Sequence, residues 1–280
     1  RWRLTVLILP SVAAFAIYYL VWFLPKTPQA PADAPRLSVA TFNLRHEQDG
    51  LAAIESLVRR MDADVLTLHE LSVEADAVIS VSLRDLYPHQ ATYPRSGQYT
   101  YVEGQGVYSK YPIIESDYWR DADLPLSHGH TRTVIDVDGV AITVYSVHPW
   151  PSLWWRGSNL LRNFHLVYSA DYDRSHREAM QRIVTRLDAE PAAPLILMGD
   201  LNMSDQYTEY QQLAQRLTDA QRAAGVGMGY TYPANLRLPP LMRLDYVFTN
   251  ARVIALATTV YYDETVSDHL PLKASLALLP

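Results

Sequence analysis

The sequence predicts an α/β domain in which two sheets pack face to face with helices outside, preceded by one membrane-crossing helix. Three observations carry this expectation. Short apolar runs rich in β-formers alternate with segments of helical period from residue 37 to residue 278. Asp138-Gly139 sits between two such runs, as a two-residue hairpin requires. Residues 4–24 carry no charged side chain.

These features divide the chain into an anchor over 1–24, a linker over 25–35 and a globular domain over 36–280. The anchor segment of 21 residues would make a helix of roughly 31 Å, enough to cross a hydrocarbon core. Arg1 and Arg3 flank one end and Lys26 the other, with Trp2, Trp22 and Tyr18-Tyr19 near the ends, where aromatic rings favour the interface. A cleaved leader would have a shorter apolar core, and Pro35 directly after Ala32-x-Ala34 disfavours cutting there. The excess of positive charge before the span favours a cytoplasmic N-terminus and an extracytoplasmic domain. Residues 25–35 have a proline every three or four positions, the composition of an extended, semi-rigid spacer.

In the globular part, residues 37–42 read as a strand ending at Asn43, and 50–61 as an amphipathic helix with Leu51, Ile54, Val58 and Met61 on one face. A strand over 64–68 ends in His69-Glu70, and a helix follows over 74–86. Strands are expected over 99–109, from 113, over 131–137 and over 140–147, the last ending at His148. Residues 149–170 read as irregular. A helix over 171–187 places Met180, Ile183, Val184 and Leu187 on one face, and the apolar run 194–197 is a short buried strand. A helix over 206–217, a loop over 225–229 and strands over 243–248, 253–261 and 272–278 complete the domain.

Composition limits the chemistry. With 49% hydrophobic residues in 280 the chain can bury a core. It has no cysteine, which removes disulfides, thiolate metal sites and cysteine nucleophiles together. The net charge is −6. Before Arg36 the basic residues are Arg1, Arg3 and Lys26 against Asp33 alone, so the globular part is more acidic than the whole. Such a surface suits non-specific nucleic-acid binding poorly unless cations cluster in one groove or metal ions supply the charge.

Polar residues gather at strand ends. Met198-Gly199-Asp200-Leu201-Asn202 puts a carboxylate and an amide two residues apart after a strand, a compact way to hold a water beside a phosphoryl oxygen. Gly-Asp after a strand is by itself usually a turn. The weight comes from Thr41-Phe42-Asn43, Leu68-His69-Glu70, Ser146-Val147-His148, Leu244-Asp245-Tyr246 and Ser267-Asp268-His269-Leu270-Pro271, which add oxygen ligands and imidazoles at further strand ends. Glu70 is a hard oxygen donor of the kind Mg²⁺ or Mn²⁺ prefers, with Asn43 as a neutral second one.

In this order the motifs resemble the endonuclease/exonuclease/phosphatase superfamily over roughly residues 36–280. The resemblance implies a four-layer α/β/β/α sandwich of two mixed sheets and metal-dependent phosphoester hydrolysis. It implies that Asn43 and Glu70 bind the metal with Asp268 beside it. It implies further that Asp200 and His269 position and activate water, that Asn202 and His148 stabilise the charged transition state, and that Asp245 orients either His148 or His269. The superfamily more often has Gln where His69 stands. Arg156 and Arg162 are candidate phosphate contacts, against the plainer reading of solvated arginines. Trp150, at the head of the Trp150–Trp155 cluster, is a candidate for the substrate rim, against the plainer reading of a small satellite core.

The leading expectation is a membrane-anchored phosphohydrolase acting on a phosphodiester or phosphomonoester, with a lipid head group or small phosphoester favoured by the anchor and the acidity. A metal-dependent nuclease acting on DNA or RNA is the alternative. A catalytically inactive, membrane-tethered binding domain is the reading from another class.

Overall fold

A computed structural model describes residues 2–45, 50–96, 103–156, 165–168, 170–234, 239–262 and 266–279. The first sheet grows around β1 (Arg36–Asn43), which pairs in parallel with β2 (Val65–His69) and antiparallel with β14 (Leu272–Leu278). β13 (Val253–Val260) closes one edge beyond β14; β4 (Gln105–Ser109) and then β3 (His89–Tyr93) extend the other. The second sheet repeats this plan. Parallel β7 (Val140–Ser146) and β10 (Leu195–Asp200) form its centre. β12 (Asp245–Thr249) and the short β11 (Thr218–Asp219) lie on one side, and β6 (Gly129–Val137) and β5 (Ile113–Arg120) on the other. Both sheets are therefore six-stranded and mixed.

Alternation along the strands builds three cores. Val39 of β1, Val65 of β2 and Leu276 of β14 meet Val144, Ile196 and Val247 of the other sheet in the layer between them. Ala40, Phe42, Leu66 and Leu68 face outward onto α2 (Leu51–Met61) and α3 (Val73–Ser82). Tyr145, Leu195 and Leu197 face outward onto α4 (Ala170–Asp188) and α5 (Thr208–Ala214). The layers are helix, sheet, sheet, helix, as the alternation of strands and helical segments predicts.

Several expectations are corrected. The N-terminal helix α1 runs from Trp2 to Leu20 and gives way to a 3₁₀ turn over Val21–Phe23, so the apolar segment is not one continuous helix through residue 24. Among the described residues no helix is long and apolar enough to cross a membrane. The Pro-rich segment does not stand free of the domain. Lys26 donates to the carbonyl of Arg222 at 2.6 Å, and Ala34 is buried. α3 stops at Ser82, earlier than expected, and α5 covers only 208–214. β3, β11 and α6 (Ala220–Ala224) were not foreseen. Residues 99–102 of the expected strand 99–109 lie outside the described residues. The segment read as irregular contains a two-stranded ribbon, β8 (Leu153–Arg156) with β9 (His165–Tyr168).

Candidate active site

The site lies where the two central parallel pairs end. Asn43 and His69 close β1 and β2 in register, and Asp200 and Asp245 face each other across β10 and β12. Since β12 and β14 run antiparallel to their neighbours, their beginnings meet those ends, which brings in Asp245 and, just before β14, Asp268 and His269. The backbone is under constraint here. Arg45, Glu70 and Asn202 all adopt positive φ, at 50°, 55° and 49°, a costly state for non-glycine residues that gathers at functional sites. Gly199, at φ 149°, has no room for a side chain, since a Cβ would lie 2.0 Å from the carbonyl oxygen of Val147. That close approach sets the strand ends carrying Asp200 and His148 against each other.

All eight strand-end residues converge. Asn43 Nδ2 donates to Glu70 Oε1 at 3.0 Å and to Asp200 Oδ2 at 2.9 Å. His148 Nε2 lies 3.6 Å from Asp200 and 4.0 Å from Glu70. His269 Nδ1 is 2.9 Å from Asp245 Oδ2, while its Nε2 is 3.6 Å from Asp200. Asp245 is thus the partner of His269, which answers the question left open by the sequence. Asn202 donates its backbone N–H to Asp200 Oδ1 and its amide to the Pro149 carbonyl, tying the ends of β10 and β7 together. Ser267 reaches the carbonyl of Asn43 at 2.8 Å, and Asp268 pairs with Arg45 at 3.1 Å.

Charge is unevenly spread. Burial, then the neighbouring carboxylates Asp268 and Asp200, push Glu70 up to about 7 against the help of Asn43 and His269. Asp200 is raised as well, chiefly by burial and by Asp245, with His269 opposing. Burial disfavours a charged His269, but Asp245 and Asp200 outweigh it and push the imidazole up to about 10. His148 goes the other way. Burial and the histidines His128, His69, His269 and His130 hold it well below 6.5. These surroundings favour the neutral form of His148.

The donor set fits a divalent cation. Glu70, Asp200 and Asp268 crowd together, Arg45 offsets Asp268 only, and buried Asp268 Oδ1 has no partner among the described residues. Oxygen-rich, carboxylate-dominated sites of this kind suit Mg²⁺ or Mn²⁺. Asp200, Asp245 and His269 also bring ligand atoms within 4.8 Å of one another. Asp245 and His269 already bond each other at 2.9 Å, which leaves the Glu70 side of the cluster with the less engaged carboxylates. Asn43 presents its amide nitrogen to the carboxylates while its oxygen accepts from Arg45 N–H. Its expected part as an oxygen ligand needs the amide turned over.

Three candidates stand apart. Trp150 is buried, with its ring 4.6 Å from that of His128 and tilted to it, and its carbonyl accepts from His176, so its ring packs inside the fold and not at an open substrate rim. Arg162 lies outside the described residues, and Arg156 is placed only as the last residue of β8. Other residues were missed. Tyr232 packs its ring 4.8 Å from that of His269, and Thr231 accepts from the backbone of Asp245. Arg45, two positions after Asn43, pairs with Asp268. His128 stacks on His148 at 4.1 Å, and His130 Nδ1 accepts from its backbone N–H. The His-Gly-His spacing at the start of β6 was the available signal for these two. His69 is buried, 3.1 Å from Thr41 Oγ1, and joins the same neutral histidine cluster.

Comparison with known proteins places this arrangement. The profile of the Endonuclease/Exonuclease/phosphatase family matches residues 40–269. None of the curated proteins matches the sequence. Among solved structures, an endonuclease/exonuclease/phosphatase from Beutenbergia cavernae DSM 12333 is 19% identical, with a TM-score of 0.65 over 87% of this chain and 72% of that one. Sphingomyelinase C from Streptomyces griseocarneus is 20% identical, TM-score 0.63, over 86% and 99%. A mannosyl-6-phosphatase from Bacteroides thetaiotaomicron VPI-5482 is 17% identical, TM-score 0.62, over 86% and 100%.

Proposed function

The chain belongs to the Endonuclease/Exonuclease/phosphatase family, and on that premise we propose that it is a divalent-metal-dependent phosphoric ester hydrolase whose substrate is a lipid-borne or small phosphoester. The observation that carries the reading is the Asp245–His269 pair set 3.6 Å from Asp200 beside the Glu70 carboxylate. Glu70, with Asp268 and Asp200 around it, would hold the ion, and Mg²⁺ or Mn²⁺ there supplies positive charge to the phosphoryl oxygens.

The protein's own groups divide the remaining tasks. Asp245 fixes the His269 ring through Nδ1 and stabilises its charge, leaving Nε2 to donate to a phosphoryl oxygen. Asp200, held by the Asn202 N–H and the Asn43 amide, is the group placed to take a proton from the attacking water. His148, held toward its neutral form, turns Nε2 to the same space as an uncharged imidazole beside the charged His269. Asn202 keeps the β7 and β10 ends at fixed spacing.

The lipid preference is supported by the acidic composition and by the uncharged N-terminal segment. The same reading keeps the domain at a membrane, on its extracytoplasmic side. The test is product release by the purified chain from phospholipid vesicles, soluble phosphomonoesters and plasmid DNA, with Mg²⁺ and with excess chelator. Metal-dependent release from the phosphoesters, lost in Asp200→Ala and His269→Ala, is the expected result. Turnover of DNA alone would establish the nuclease, and no metal-dependent turnover of any substrate would establish the inactive binding domain.

A further inference from the structure

Among the described residues, most exposed large hydrophobic side chains lie on the N-terminal segment or near its foot. Besides three on α3 and Ile114, they belong to the N-terminal segment or to Val226, Leu241, Met242 and Tyr262. Those four surround one loop. Val226 precedes Gly227, whose N–H donates to the carbonyl of Trp22 and whose α-carbon faces the Phe23 ring. Leu241 and Met242 pair through their backbones with Tyr232, and the Tyr262 hydroxyl reaches the carbonyl of Tyr230. The patch thus runs from the foot of α1 to the residue stacked on His269.

Topology puts the patch on one side of the sandwich. β13 is the edge of the first sheet and β11, continued by α6, the edge of the second, and these edges lie together. β3 and β5 form the opposite side. The foot of α1 is fastened to the first side. The Arg222 guanidinium lies 2.8 Å from the centroid of the Trp22 ring, and Lys26 bonds the carbonyl of Arg222.

The covering material can be read from α1. Each residue from 8 to 17 is exposed, almost three turns, so among the described residues nothing covers any side of that stretch. Nothing in residues 4–24 is charged. A protein groove covers one stripe of a helix, whereas hydrocarbon covers all of it. At its foot Phe15, Tyr19 and Trp22 stack in series beside Arg222 and Lys26, the aromatic and cationic belt of a membrane interface.

We propose that α1 and the rim formed by Val226, Leu241, Met242 and Tyr262 are one lipid-facing surface, which seats the β11–β13 side of the domain on a phospholipid bilayer with the Tyr232–His269 side of the cleft toward it. The surface itself stands on geometry, and its consequence, that substrate arrives from the bilayer, rests on the hydrolase reading above.

The chain has no cysteine, so a single introduced thiol can be labelled uniquely. The full chain carrying Val226→Cys, Leu241→Cys or, on the opposite side, Ile114→Cys is labelled with an environment-sensitive fluorophore and mixed with phosphatidylcholine vesicles containing brominated acyl chains. Quenching at 226 and 241 but not at 114 is expected. Equal quenching at all three, none at 226 and 241, or self-association of the chain without vesicle binding would overturn the surface whether or not the protein is a hydrolase. If it is, Val226→Asp with Leu241→Asp should lower turnover of a vesicle-borne phosphoester roughly ten-fold while a soluble one is cleaved as before. An equal fall on both substrates, or none on either, would overturn delivery from the bilayer.

Discussion

At the scale of single residues, the site works by giving similar groups opposite charge states. His269 and His148 are both buried imidazoles facing Asp200, yet Asp245 and Asp200 hold one toward its protonated form while burial and the four neighbouring histidines hold the other toward its neutral form. Replacing His269 by Ala should lower kcat by roughly 10²–10⁴, measured as initial rates at saturating substrate. Asp245→Asn should remove much of the same rate with little change in KM, and should move the pH–rate profile, because the ring loses the anion that holds its proton. Such residues were legible in sequence because they sit at strand ends, where a polar side chain after an apolar run stands out. Arg45, Tyr232, His128 and His130 were not, because their parts depend on which distant groups they meet. Trp150 shows the converse. It follows His148 directly, yet the chain turns its ring inward onto His128.

At the scale of elements, periodicity located most strands because those of a sandwich are buried on both faces and read as unbroken apolar runs. The hairpin at Asp138-Gly139 has both residues at positive φ, as its sequence requires. β3, whose His-Gln-Ala-Thr-Tyr is half-buried at an edge, gave no such signal. The end of α1 at Leu20 was also illegible, since Val21–Phe23 is as apolar as the helix before it and only local geometry separates them. The join between β10 and β7 is the element-level weak point. Gly199→Ala forces a Cβ against the Val147 carbonyl at a φ that alanine tolerates poorly. It should destabilise the chain by about 3 kcal/mol or more in urea unfolding, with activity lost beyond what unfolding explains.

At the scale of the whole molecule, stability follows pH in two opposed ways. His69, His128 and His130 are pushed down to about 3, mainly by burial. Below about 6.5 the unfolded chain takes up protons that the folded one refuses, so stability falls with acid across the range from about 6.5 to about 3. Glu70, raised from 4.5 to about 7, has the reverse sign. The folded chain holds its proton longer, so its contribution to metal-free stability declines as pH rises through that window. On the metal-dependent reading proposed above, a cation held at Glu70 would replace that proton. The stabilisation given by saturating Mg²⁺, about 3 kcal/mol at a hundred-fold excess over Kd, should therefore shrink as pH falls through about 7, and Glu70→Gln should abolish it; the shift in Tm seen by differential scanning fluorimetry reads both. The pairing of β1 with β14 has a consequence for how the protein comes into being. Arg36 opposes Ala277 and Thr41 opposes Leu272, so the first sheet waits until residues 272–277 have been synthesised. Until then Asn43 and Glu70 have no His269 to face, and the nascent chain carries half a site beside an unpaired strand edge on the ribosome.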